Sequence, residues 1–121
     1  MASTGLEGPF VLSDVEVNSI VTKISPGAYA LGYVKNDGTF VVLYVGRSDS
    51  DLNARLCSWV GENKKYTHFK ASYFPSAKAA FDKECLVYHD FGGPENQLDN
   101  EMHPDRPKSQ ICTCSRCYIF D

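Results

Sequence analysis

No apolar run in this chain approaches the ~20 residues needed to span a bilayer, so a membrane-spanning helix is not expected. A basic surplus is also missing. The formal net charge is −3, which argues against indiscriminate binding to nucleic acid, since that needs a positive surface. Internal repeats and low-complexity tracts are absent. The opening stretch from Met1 to Pro9 lacks the basic start and apolar run of a signal peptide. A cytoplasmic or nuclear setting with reduced thiols is therefore expected. The 121 residues, 43% of them apolar, suit one globular domain around one hydrophobic core.

Charge is unevenly spread. Residues 47–83 hold seven bases against four acids, whereas residues 84–121 hold three bases against seven acids. The middle of the chain is thus the segment fitted to meet an anion.

Ser13-Asp14-Val15-Glu16 reads as a capping box opening a helix. Val17, Ile20, Val21 and Ile24 follow at helical spacing, and Pro26-Gly27 ends it. Tyr29 to Lys35 and Thr39 to Val45 are rich in Val, Tyr, Leu and Phe. Asn36-Asp37-Gly38 between them predicts an antiparallel hairpin. Ser48-Asp49-Ser50-Asp51 offers N-caps for a second helix, with Leu52, Leu56, Trp59 and Val60 as its stripe and Gly61 as its stop. His68 to Phe74 reads as a third strand. Pro75-Ser76 opens a third helix with the stripe Ala77, Ala80, Phe81, Glu84, Cys85 and Tyr88, which Gly92-Gly93-Pro94 ends. The predicted class is α+β, a small three-stranded antiparallel sheet flanked by helices. Residues 1–26 form an N-terminal segment and helix, 27–94 a core, and 95–121 a Pro- and Cys-containing tail packed on that core.

Three features carry chemistry. Glu84 lies in the middle of an apolar helix stripe, where a carboxylate is costly unless it is paired, hydrogen-bonded or bound to a metal. Arg55 lies at the edge of the second helix's stripe, one turn from Leu52 and Trp59, where its guanidinium can reach a phosphate with two donors. The competing reading is a surface arginine laying its stem over Trp59. Cys112, Cys114 and Cys117 form a C-x-C-x-x-C cluster of the kind that holds a structural zinc. His103, Cys85 and Cys57 are the candidate fourth ligands. Free thiols, or a disulfide if the protein is oxidised, are the alternative.

Gly27-Ala28-Tyr29 and Tyr44-Val45-Gly46 flank the hairpin and mirror each other. This arrangement resembles the signature of the GIY-YIG nuclease family. The resemblance covers roughly residues 27–91 and includes an arginine on the next helix, Arg55, nine positions after Gly46. It also includes a glutamate on a later helix, Glu84. Ala28 stands where a branched residue is usual, and the turn after Gly46 is about one residue longer and carries Asp49 and Asp51. The resemblance implies a metal-dependent endonuclease that hydrolyses DNA phosphodiester bonds. In that reading Glu84 holds Mg²⁺ or Mn²⁺, Arg55 offsets transition-state charge, Tyr29 orients or deprotonates the attacking water, and Tyr44 supports Tyr29 or the phosphate. Gly46, Arg47, Lys35 and His68 are the candidate substrate-binding residues.

A small domain leaves little room for separate recognition, so action within a larger repair or recombination complex, or as a homodimer, is expected. The alternative is a non-catalytic module of the same fold that binds nucleic acid or protein, to which the acidic turn and net charge point. A third reading, a small zinc-binding structural protein whose Tyr and Gly pairs are accidental, predicts that the side chains of Tyr29, Tyr44, Arg55 and Glu84 lie scattered and that Glu84 is paired to a structural cation.

Overall fold

A computed structural model describes residues 5–62 and 64–90. The elements run β1 (Glu7–Val11), α1 (Asp14–Ile20), β2 (Gly27–Val34), β3 (Phe40–Ser48), α2 (Leu52–Trp59), β4 (His68–Tyr73) and α3 (Ala77–Asp90). The class is α+β, and the sheet is antiparallel with the order β1-β4-β2-β3.

The sheet has four strands, not the expected three. The added strand is β1, which pairs with β4 at the edge away from the hairpin. Its sequence, Glu-Gly-Pro-Phe-Val, carries no alternation and contains a proline. Proline is tolerated here because an edge strand need not donate every N–H. The register shifts between Glu7 and Phe10, around a cis Gly8-Pro9 bond and a Gly8 with φ of 125°. Such a strand has little sequence signature.

The first helix is shorter than expected. Ser13 caps it by accepting from the Glu16 N–H at 3.2 Å, but it ends at Ile20, and Ile24 is 86% exposed. Val17 and Val21 alone of its predicted stripe are buried. The Val21 carbonyl accepts from the Asn53 side chain at 2.9 Å, which ties the end of α1 to α2.

Strand β2 lies between β4 and β3 and is buried from Gly27 to Gly32. Successive side chains point to opposite faces, and both faces are covered. Tyr29, Leu31, Phe69 and Ala71 pack with Val17 of α1 and with Leu52 and Leu56 of α2. On the other face Ala28, Ala30, Val42 and Val45 pack with Val87 and Tyr88 of α3. The hairpin turns where expected: Gly38 has φ of 90°, a conformation that favours glycine, and Asp37 accepts from the Thr39 N–H at 2.9 Å. A bulge between Leu31 and Gly32 offsets the pairing so that Leu31 faces Tyr44 and Gly32 faces Val42. Gly32 is required there because a Cβ would collide with the Val41 carbonyl.

No helix among the described residues is long and apolar enough to cross a membrane.

Candidate active site

The mirrored Tyr/Gly pieces pair with each other. Tyr29 lies opposite Gly46, Ala28 opposite Arg47 and Leu31 opposite Tyr44. Tyr29, Tyr44 and Gly46 therefore share the α2 face of the sheet, and Arg47 points to the α3 face. Gly46 leaves room for the Tyr29 ring: a Cβ there would run into the ring and its hydroxyl. Tyr29 is buried, so it has little freedom to move aside. The glycine thus seats the tyrosine.

Because β3 is an edge strand, side chains from both faces reach the depression around its C-terminal end. That depression, of about 360 Å³, is lined by Tyr29, Tyr44, Arg47, Asp49, Arg55 and Glu84, together with Gly46, Ser48, Ser50 and Trp59. The structure brings together six of the eight residues expected to act on a substrate. Lys35 and His68 stand apart. Lys35 belongs to a depression lined, among the described residues, by the hairpin residues 33–37. His68 lies on β4 opposite Gly32, with its Nδ1 2.9 Å from the Thr67 hydroxyl. Of the seven bases in residues 47–83, Arg47 and Arg55 line the site, while Lys70 sits over the Phe40 ring, 5.4 Å from its centroid.

The turn after Gly46 is held by its own polar side chains. The Ser48 hydroxyl accepts from the Asp51 N–H at 2.9 Å. The Asp51 carboxylate accepts from the Ala54 N–H at 3.2 Å and so caps α2. That cap sets the first turn of the helix that carries Arg55 to the pocket. Of the two acids in this turn, Asp51 serves the helix and Asp49 serves Arg47.

Glu84 is 7% exposed. Arg47 donates from Nη1 to its Oε1 at 2.7 Å and from Nε to Asp49 at 2.6 Å. The guanidinium also lies over the Phe81 ring, 5.1 Å from its centroid. Burial pushes the Glu84 carboxyl up to about 7, with Arg47 opposing the rise. The expected partner of the awkward glutamate is thus an arginine already in the chain. Arg47, expected to touch substrate, is bonded to two carboxylates.

Tyr29 accepts a hydrogen bond from the Trp59 indole at 2.8 Å. Burial raises its phenol well above the ordinary value, outweighing the lowering effects of Trp59 and Arg55. Tyr29 is therefore a neutral hydroxyl whose own proton remains to be donated, and burial opposes a role as base. Burial likewise raises Tyr44, helped by Glu84 and opposed by Arg55. The Tyr44 ring packs 4.7 Å from that of Trp59. Sequence reasoning placed Trp59 in the core and missed its role here. Its one signal was the position of the chain's single tryptophan one turn after Arg55.

Among the described residues no group of three or more His, Cys, Asp and Glu side chains could hold a metal ion. A hard cation held by one carboxylate and waters needs no such group. Glu84 fits that mode: it is an oxygen donor on the wall of a polar depression, and its Oε1 is shared with Arg47. Cys112, Cys114, Cys117 and His103, the candidate zinc ligands, lie outside the described residues. Cys57 is half-buried and Cys85 buried.

Compared with family models, curated proteins and solved structures, the chain has no significant match.

Proposed function

We propose that this chain is a metal-dependent endonuclease of the GIY-YIG type, hydrolysing DNA phosphodiester bonds in the depression around the end of β3. The observation that carries the reading is the convergence of Tyr29, Tyr44, Arg55 and Glu84 on that depression, from four different elements and from both sides of the sheet. A chance pair of Tyr/Gly tripeptides gives no reason for an arginine on α2 and a buried glutamate on α3 to meet there.

Glu84 is the carboxylate that would hold Mg²⁺ or Mn²⁺, which when bound polarises a phosphate oxygen and stabilises the leaving oxygen. Arg55 is exposed on α2 and presents its guanidinium toward the anionic group. Tyr29 orients the attacking water through a hydrogen bond from its O–H, its oxygen already accepting from the Trp59 indole N–H. Tyr44, half-buried beside Trp59, supplies a second hydroxyl on the same wall. This division leaves proton removal to solvent or the substrate phosphate rather than to a phenolate, because burial holds both phenols above their ordinary range.

One observation favours the alternative, a non-catalytic module of the same fold that binds nucleic acid or protein. Arg47 is already paired with Glu84, and the depression is formally neutral when its two arginines and two carboxylates are ionised.

Cleavage of duplex, branched and single-stranded DNA with and without Mg²⁺ separates the two. The nuclease reading expects nicking that needs Mg²⁺ and is lost in Glu84→Ala, with the circular dichroism spectrum unchanged. Equal cleavage by parent and variant sinks the catalytic assignment of Glu84, and no cleavage by the parent on any substrate supports the module.

A further inference from the structure

Arg47 is bound too tightly for a residue whose only task is to touch a substrate. Its side chain is 12% exposed, lies over Phe81, and bonds Asp49 of the β3–α2 turn and Glu84 of α3 at once. Glu84 is also the side chain to which the nuclease reading assigns the divalent cation, and a competition at Glu84 presupposes that assignment. A guanidinium and a metal ion on the same carboxylate oppose each other. Each reduces the negative charge available to the other, and the two positive charges are brought close together in a partly desolvated place.

We infer that Arg47 is a built-in counter-ion that competes with the divalent cation for Glu84, and that Asp49 keeps hold of the guanidinium when the metal takes over. Two carboxylates on one arginine make this possible. Asp49 is the more exposed partner, with 43% of its side chain exposed against 9% of the Glu84 side chain, so it is the softer anchor and can follow the arginine outward. The exchange also changes the charge of the depression. With Arg47, Arg55, Asp49 and Glu84 ionised the site is neutral and has little attraction for a phosphate. A divalent ion makes it positive. Arg47 is thereby a positioning residue that links anion binding to metal binding. By linkage, the factor by which the Arg47–Glu84 bond weakens metal binding equals the factor by which the metal weakens that bond.

The test is Mn²⁺ binding to the full chain without DNA, measured by titration calorimetry and by the electron paramagnetic resonance of free Mn²⁺. Arg47→Gln should tighten binding by about fivefold or more. Arg55→Gln removes the same charge from the depression without a bond to Glu84, and should change binding by less. Asp49→Asn leaves Glu84 as the one carboxylate bonded to Arg47 and should weaken binding. That exposed substitution provides the second arm if Arg47→Gln fails to fold. Binding in Arg47→Gln no tighter than in the parent or in Arg55→Gln overturns the counter-ion role while leaving the metal assignment intact. Tighter binding in Asp49→Asn overturns it in the same way. Mn²⁺ binding that survives undiminished in Glu84→Gln, or is absent from every folded variant, overturns the metal assignment and this inference with it.

Discussion

Glu84 shows how one residue can be both a structural burden and a functional candidate. Its carboxyl stands at about 7 against an ordinary 4.5, because burial penalises the ion more than Arg47 rewards it. A carboxyl raised on folding binds its proton more tightly in the native state. Its stabilising contribution is fully present below the unfolded value and is lost as pH rises through the folded one. In metal-free protein, stability should therefore fall between about pH 4.5 and 7 from this group and level off above. Glu84→Gln should remove that slope, with a gain on the order of 3 kcal/mol at most above pH 7. Urea unfolding across this range in the presence of a chelator measures it. Parallel curves for parent and variant would show that the carboxylate is well solvated or fully compensated by Arg47.

At the scale of elements, α2 and the turn before it decide where Arg55 lies. The Asp51 cap satisfies a helix N–H at the end nearest the depression. Asp51→Ala should cost about 1 kcal/mol, read by thermal or chemical unfolding, and should loosen the first turn without touching the core. A loss below a few tenths of a kcal/mol would mean that Ser48 holds the turn alone. This element also shows what was legible beforehand. The polar run Ser48 to Asp51 and the stripe of Leu52 and Leu56 announced the helix. The stripe of α3 announced that Glu84 would be buried, because helical spacing places it between Phe81 and Tyr88. The hairpin was readable from Asn36-Asp37-Gly38. Strand β1 was not readable. An edge strand built around Gly8-Pro9 has no alternation, and its pairing with β4 depends on residues about sixty positions away. The same kind of separation hid the Arg47–Glu84 bond, whose partners are 37 residues apart. The end of α1 was misread because Ile20 and Ile24 keep helical spacing although both are exposed, and the Asn53 bond to Val21 that ties off the helix is invisible to periodicity. Lys35 and His68, expected to contact the substrate backbone, do not line the depression. The hairpin tip and the start of β4 lie elsewhere.

For the molecule as a whole, an acidic chain that acts on DNA must concentrate its positive charge. The net charge is −3, and the lysines of the basic middle segment do not line the depression. General attraction to the DNA backbone should then be weak, with a shallow salt dependence, because few phosphates are neutralised. Among the described residues, Arg55, Tyr44, Tyr29 and Glu84 are the groups that the nuclease reading places against the phosphodiester. In the nuclease reading these residues act on one phosphodiester as a unit. That unity is read from the Mg²⁺-dependent cleavage rate of the parent, Arg55→Ala, Glu84→Gln and the double variant on the best DNA substrate. Groups that serve one transition state are non-additive. Each single variant should lose about 100-fold or more, and the double variant should be little worse than the poorer single. A parent rate retained in either single variant, or losses that multiply in the double, would contradict a single shared site.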